Sequence, residues 1–268
     1  MVAAEIRNYF VREPVLEFVP RPKLSLIIPA FNEQSRIGGT LEEAWAYLAA
    51  QQYAFELILS DDGSTDKTRE IGEAFTQTHD HTRVMSKHHG GKAAAIRAGM
   101  KAASGEIVVF MDADMATPIS YLHDFIAAIE RGADIVVGSR EGLGSNRVGE
   151  PIYRHIMGRA FNRLVQLLIL RGINDTQCGF KAFTRFASTE ILRRARLYSD
   201  HETLTGARVT AFDVEMLVIA RKLGLKIVEM PVVWTYGSHS KVNPVKDTVV
   251  NLRDVATIKL NMLRNEYD

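Results

Sequence analysis

The sequence predicts an α/β fold, a mostly parallel sheet with helices on both faces. Three observations predict it. Short apolar runs alternate with helical patterns five times between Leu24 and Gly138, as in βαβ units with right-handed crossovers. The run Glu106-Ile-Val-Val-Phe-Met-Asp-Ala-Asp114 stays apolar up to its two aspartates, which describes a strand buried on both faces. Each run also ends in polar or glycine residues, and ligands of open α/β sheets sit at those carboxyl ends.

The chain has 268 residues, enough for one large or two small domains. Hydrophobic residues make up 46% and charged residues 24%, a globular balance. The net charge of +1 gives no case for nucleic-acid binding. Cys178 is the single cysteine, which excludes an internal disulfide and a cysteine-based metal site and fits a reducing compartment. The first ten residues carry Glu5 and Arg7 and lack a signal-peptide core. No apolar run approaches the ~20 residues of a membrane-spanning helix. The expected location is cytoplasmic, with room for peripheral contact on the cytoplasmic face of a membrane.

Residues 1–23 contain Pro14, Pro20 and Pro22 and read as an extended lead-in. Leu24 to Ile28 is a strand stopped by Pro29. Ile37, Leu41, Ala44, Trp45 and Leu48 give a helix over 35–50. Glu56 to Ser60 is a strand entering Asp61-Asp-Gly-Ser-Thr-Asp66, where Ser64, Thr65 or Asp66 can cap the next helix. Arg83 to Ser86 is a short strand. His88-His-Gly-Gly-Lys92 is a glycine turn before an Ala-rich helix ending near Ala103. The aspartate-ended strand follows, then a helix through Tyr121 and Ile129, then Asp134 to Gly138.

The pattern then changes. Glu141 to Glu150 is rich in glycine and reads as a mobile loop or lid. Residues 152–170 form an amphipathic helix, with Ile156, Met157, Phe161, Leu164, Val165 and Leu168 on one face and Arg154, Arg159 and Arg163 largely off it. That pattern fits a helix packed on the sheet or one lying in a membrane interface. A turn over 175–181 leads into a strand at Phe180 to Phe183, then helices over 186–195 and 212–223. A strand at Lys226 to Met230 is stopped by Pro231. A last helix over 245–263 puts Val249, Leu252, Ala256 and Leu263 on one side.

Two carboxylates at the end of one strand repel unless a cation lies between them, and hard oxygen donors suit Mg²⁺ or Mn²⁺. Asp112 and Asp114 are therefore a candidate metal pair, with a strand-ending turn as the alternative. Nucleotide motifs of other classes are missing. No G-x-G-x-x-G follows the first strand, and Ser86 stands where a phosphate loop ending in Gly91-Lys92 needs glycine. The strand ends gather Pro29 to Glu33, Asp61-Asp62, Asp112 to Asp114 and Gly138 to Arg140 on one rim. Such a rim suits a nucleoside diphosphate, with metal on the phosphates and Arg gripping them.

Pro29-x-x-Asn32-Glu33, Asp61-Asp62-Gly63-Ser64-x-Asp66, Gly91-Lys92 and Asp112-x-Asp114 resemble the inverting family-2 glycosyltransferases with the GT-A, Rossmann-like fold. Asp175-Thr-Gln-Cys-Gly-Phe-Lys181, Phe212-Asp-Val-Glu215 and the stretch Ser238 to Lys246 are similar to the dolichyl- and polyprenyl-phosphate sugar synthases, above all the dolichyl-phosphate glucose branch. The resemblance covers about Leu24 to Asp254. It implies a GT-A domain over 24–244 with a C-terminal helix over 245–268, both ends of the chain being helical additions or lead-in.

The resemblance also implies roles. Asp62 contacts the base or ribose, with Pro29, Phe31 and Glu33 lining that pocket. Lys92, Ala113 and Gln177 belong to the nucleotide-sugar site. Asp112 and Asp114 hold Mg²⁺ or Mn²⁺, and Arg140 binds phosphate. Some relatives have a glutamine ligand where this chain has Ala116. Asp213 enters the site in preference to Glu215, since positions two apart on a helix face different ways; acids at a solvated helix start are the alternative. Gln177 and Lys181 flank a sugar and acceptor pocket. Cys178 is a packed residue, His88 and His89 are rim residues, and Trp234 and Tyr236 stack on sugar or pack internally. The implied reaction moves a hexose, glucose from UDP-glucose, to a polyprenyl or dolichyl phosphate with inversion. Mannosyl transfer from GDP-mannose, a soluble transferase with a small or polysaccharide acceptor, and a non-catalytic nucleotide-sugar-binding protein are the alternatives. Because the chain starts without the N-terminal anchor usual in eukaryotic glucose synthases of this kind, membrane contact is expected to be peripheral.

Overall fold

A computed structural model describes residues 21–198, 211–237 and 244–268. In chain order the elements are β1 (Leu24–Ala30), α1 (Ile37–Ala49), β2 (Phe55–Asp61), α2 (Thr68–Thr76), β3 (Thr82–Ser86), α3 (Lys92–Ala102), β4 (Ile107–Phe110), α4 (Tyr121–Glu130) and β5 (Ile135–Ser139). There follow β6 (Asn146–Val148), α5 (Ile152–Leu168), β7 (Lys181–Thr184), α6 (Arg185–Arg194), α7 (Phe212–Lys222), β8 (Ile227–Pro231), β9 (Val233–Thr235) and α8 (Pro244–Leu263).

Seven strands form one sheet in the order β3-β2-β1-β4-β7-β5-β8. Only β7 runs antiparallel, between β4 and β5. Side chains alternate across the sheet, as strand geometry requires. Ile27, Ile58, Val108, Phe110 and Val137 pack with α3, α6 and α7 on one face. Leu26, Ile28, Leu57, Leu59, Val109 and Val136 pack with α1 and α4 on the other. Burying each such side chain contributes about 1.5–3 kcal/mol, so the uninterrupted apolar runs follow from cover on both faces. The chain winds outward from β1 to β3 and then returns to β4 beside β1. At that switch point the connections diverge and leave a crevice beyond the strand ends.

Four expectations change. Pro29 lies within β1 rather than stopping it. β4 pairs with β1 only as far as Ile27 opposite Phe110, so the proline falls where β1 has one strand neighbour. The expected loop over 141–150 contains β6, which pairs in parallel with β9 over Asn146 to Val148. Arg147 fixes the loop further, with Nη1 2.8 Å from Glu150 and Nη2 2.8 Å from Glu141.

The other two concern helices. α5 buries Asn162 and Val165, while Ile152 is 78% exposed and Leu167 76%. Of the face the spacing predicts, Phe161 and Val165 pack into the core, while Ile156, Met157 and Leu168 are exposed, so only part of it packs on the sheet. In α8 the expected apolar side is turned outward: Val249 is 63% exposed and Leu263 70%. Val255 and Ile258 are buried, together with the polar Asn251, Asp254 and Asn261. Two of the polar groups are matched inside: Tyr198 Oη donates to Asp254 (2.6 Å) and Asn261 Nδ2 to Tyr267 Oη (3.3 Å), while Asn251 Oδ1 has no hydrogen-bond partner among the described residues. α5 and α8 meet where Lys259 Nζ donates to the Leu168 carbonyl (2.9 Å). No helix among the described residues is long and apolar enough to cross a membrane.

Candidate active site

The ends of β1 and β2 are locked together. The Asn32 amide donates to Ser64 Oγ (2.9 Å), and Asn32 Oδ1 accepts from the Thr65 amide (2.8 Å). The Glu33 amide donates to Thr68 Oγ1 (2.7 Å) and the Gln34 amide to Asp66 Oδ2 (3.1 Å). Asn32 adopts φ 54° to make this exchange, a backbone region that asparagine tolerates. Asp66 Oδ1 also takes the Thr68 amide at the start of α2 (2.9 Å).

Asp62 is buried, and its oxygens serve the neighbouring glycine turn. Oδ1 accepts from the Gly90 amide (2.9 Å), while Oδ2 accepts from the Gly91 amide (2.8 Å) and meets His89 Nδ1 (2.7 Å). His89 stacks on Phe31, with ring centroids 4.0 Å apart. Asp62 thus shapes the wall carrying Phe31. Asp61, fully buried, accepts from Ser86 Oγ (3.0 Å). Glu33 is occupied by Arg36 Nε at 2.9 Å.

Asp112 and Asp114 follow β4 into the crevice. Thr40 Oγ1 of α1 donates to the Ala113 carbonyl (2.7 Å), pinning the backbone between them. Asp112 forms an ion pair with Lys92, Nζ to Oδ1 2.5 Å. Burial opposes the Lys92 charge, but Asp112, Asp213 and Asp114 outweigh it and raise its pKa above the usual lysine value. Burial, and then the Asp112 charge, push the Asp114 carboxyl up. Across the crevice, a Cβ at Gly179 would fall 2.0 Å from Asp112 Oδ2. Glycine there makes the space in which Asp112 can turn.

Two hard carboxylates either side of Ala113, mutually repelling and with room left by Gly179 opposite, fit a divalent cation of the Mg²⁺ or Mn²⁺ type. No group of three or more His, Cys, Asp or Glu stands ready for a metal among the described residues. Water or phosphate oxygens would complete the coordination, as is usual for Mg²⁺.

The far wall comes from β7 and α7. Lys181 is fully buried and donates to Asp213 Oδ1 (2.6 Å) and to the Cys178 carbonyl (2.5 Å). Asp213 thus faces the two lysines. Glu215, by contrast, turns inward and accepts from the Arg196 and Leu197 amides and from Tyr267 Oη (2.9 Å). Burial raises its pKa in spite of those bonds. Neither acid is a solvated helix start. Gln177 Nε2 is buried without a hydrogen-bond partner among the described residues. Asp112, Ala116, Thr117, Gly179, Phe180 and Trp234 line a small cleft. Cys178 is buried, and burial raises its thiol pKa, so it is packed and inert.

Arg140 comes to the rim already engaged. Its Nε and Nη2 donate to the two oxygens of Asp175 (2.7 and 2.9 Å), and its amide donates to Oδ2 (2.9 Å). Its guanidinium also lies 5.4 Å from the centre of the Trp234 ring. Burial opposes ionisation of Asp175, yet Arg140 prevails and lowers its pKa to about 2. Sequence reasoning placed Asp175 in a turn without its partner, 35 positions away. The available signal was an acid inside the motif that also carries Gln177 and Lys181. The Lys92–Asp112 pair and the glycine at 179 were likewise missed as contacts. Residues 238–243, within the stretch Ser238 to Lys246, lie outside the described residues.

A family model described as "Glycosyl transferase family 2" matches residues 25–192. The chain belongs to that family. Family 2 members are glycosyltransferases, and this chain is one. It is 34% identical to a dolichyl-phosphate beta-glucosyltransferase of Dictyostelium discoideum over 254 residues, 90% of this chain and 75% of that one. It is 32% identical to the human protein of the same name, over 92% of this chain and 78% of the other. Among solved structures, glucosyl-3-phosphoglycerate synthase from Mycobacterium tuberculosis, in complex with Mn²⁺, UDP-glucose and phosphoglyceric acid, superposes with a TM-score of 0.60. That likeness covers 90% of this chain and 79% of the other at 21% identity, and it shows the shared GT-A fold.

Proposed function

We propose that this family-2 transferase moves glucose from UDP-glucose to a dolichyl-type polyprenyl phosphate, with inversion at C1, using Mg²⁺ or Mn²⁺ at Asp112 and Asp114. The observation that carries the reading is the match to dolichyl-phosphate beta-glucosyltransferases over nine-tenths of the chain, taken with the acidic pair and Lys92 at the β1/β4 crevice. A bound divalent cation would offset the negative charge that grows on the departing diphosphate.

The chain's own residues do the rest. Phe31, stacked with His89, forms the wall that receives the base. Lys92 supplies a cation beside the diphosphate. Arg140, fixed by Asp175, holds Trp234 at the sugar cleft through its ring face. An acceptor phosphate is anionic at neutral pH and needs little help from a base. Asp213 fits that chemistry, because its oxygen is committed to the buried Lys181 ammonium. It orients the acceptor side and takes no proton.

A polyprenyl acceptor requires a lipid surface. The outward apolar residues of α5 and α8, bordered by Arg154, Arg159, Arg163 and Lys259, supply a basic amphipathic face for peripheral contact with the cytoplasmic leaflet. The decisive test is a panel of UDP-glucose, GDP-mannose and other donors with polyprenyl phosphate in vesicles, scored for lipid-linked product. Glucose transfer from UDP-glucose is expected. Turnover with a water-soluble acceptor and none with lipid would overturn the reading.

A further inference from the structure

Lys92 stands where a divalent cation would be drawn. It is the first residue of α3, a position where the helix dipole disfavours positive charge. Carboxylates hold it there instead. Its Nζ lies 2.5 Å from Asp112 Oδ1, and Asp213 and Asp114 add to its attraction. Yet its side chain is 44% exposed, and a lysine stem is long and flexible enough to swing away.

We infer that Lys92 is the resident counter-cation of Asp112, and that a divalent metal binds by displacing its ammonium. The inference rests on the metal reading of Asp112 and Asp114. An ammonium and a metal ion on one carboxylate oxygen repel each other strongly at such distances, so occupancy by one weakens the other. Asp213, whose charge also draws the Lys92 ammonium, keeps the released cation in the crevice's field. The exchange also changes the sign of the site. Three carboxylates (Asp112, Asp114, Asp213) against two ammonium groups (Lys92, Lys181) leave one negative charge, which repels a nucleoside diphosphate. A divalent ion turns that into one positive charge, so metal loading prepares the crevice for an anionic donor.

The test is direct Mn²⁺ binding to the full chain without nucleotide, followed through the spin-resonance signal of free Mn²⁺. Lys92→Met, which keeps the stem and removes the charge, is expected to tighten the Kd by about three- to tenfold, the scale of a half-exposed ion pair. Lys92→Gln serves as the second variant should the first not fold. Lys101→Met, at the other end of α3, is expected to leave the Kd within about twofold, since exposed charges at such range are largely screened. Asp112→Asn is expected to weaken binding. An unchanged or weaker Kd in folded Lys92 variants, with Asp112→Asn still weakening it, overturns the exchange alone. An unchanged Kd in Asp112→Asn overturns the metal reading beneath it.

Discussion

The donor rim and the α5/α8 surface are built by opposite rules. At the rim, charge is drawn inward and paired: Arg140 with Asp175, Lys181 with Asp213, Asp62 with the Gly90–Gly91 turn. On the outer surface, α8 turns Asn251, Asp254 and Asn261 inward and leaves Val249, Leu252, Leu260 and Leu263 in the open. A folded chain in water leaves apolar side chains exposed in such numbers where a partner covers them. The contrast is the one the proposed reaction calls for: a polar, pre-paired side for a water-borne donor and an outward apolar side for a lipid acceptor.

The comparison can be broken most forcefully at Asp175. Asp175→Asn leaves the buried Arg140 cation without its counter-charge, and about 3–5 kcal/mol of stability should go with it, read by urea denaturation. A loss under 1 kcal/mol would show that the rim does not depend on buried pairing. Neighbouring positions of α8 sharpen the other side. Ile258→Ala should cost about 2–4 kcal/mol from a fully buried site. Leu260→Ala, half-exposed, should cost less than about 0.5 kcal/mol in solution. Equal costs would mean that α8 does not present the outward face described above.

Acid separates the halves again. The Asp175 pKa falls from 3.8 to about 2 on folding. Its ionised form therefore adds stability that is present above pH ~4 and lost as the pH drops toward 2, roughly 2 kcal/mol in all. A denaturation series from pH 5 to pH 2 should show that loss in the wild type and a smaller one in Asp175→Asn. The smallest effect on folding belongs to the outer face. Ile156→Glu with Leu167→Glu should change stability by less than about 1 kcal/mol. The same pair should reduce sedimentation with anionic vesicles about tenfold or more, since each lost apolar side chain removes ~1.5 kcal/mol or more of transfer energy. Unchanged partition would remove the membrane from the account.

The strand-end turns of the candidate site were legible because their signals are local. A strand ending in Asp112-Ala-Asp114, or a turn of Asp61 to Asp66, carries its chemistry within a few residues. What the sequence hid was pairing at long range. Nothing near Arg140 says that its fork closes on Asp175, and nothing near Lys181 names Asp213. β6 and β9 have three residues each and lie some 85 positions apart, too short for a periodic signal. The outer helices were half legible. Spacing shows that α5 and α8 have an apolar stripe, but a stripe has no arrow. In α8 the inward side mixes Val255 and Ile258 with Asp254 and Asn261, which bond to Tyr198 and Tyr267, while the apolar residues that the spacing grouped together face outward.

Gly179 has no side chain to act with, yet it decides where the Asp112 carboxylate can lie. Any other L-amino acid brings a Cβ to 2.0 Å from Asp112 Oδ2, so a side chain at 179 is admitted only if the Asp112 carboxyl turns aside. A substitution there therefore acts on position 112, by moving the carboxyl from the place it holds beside Lys92. The two positions, 67 apart in the chain, are coupled through that one contact.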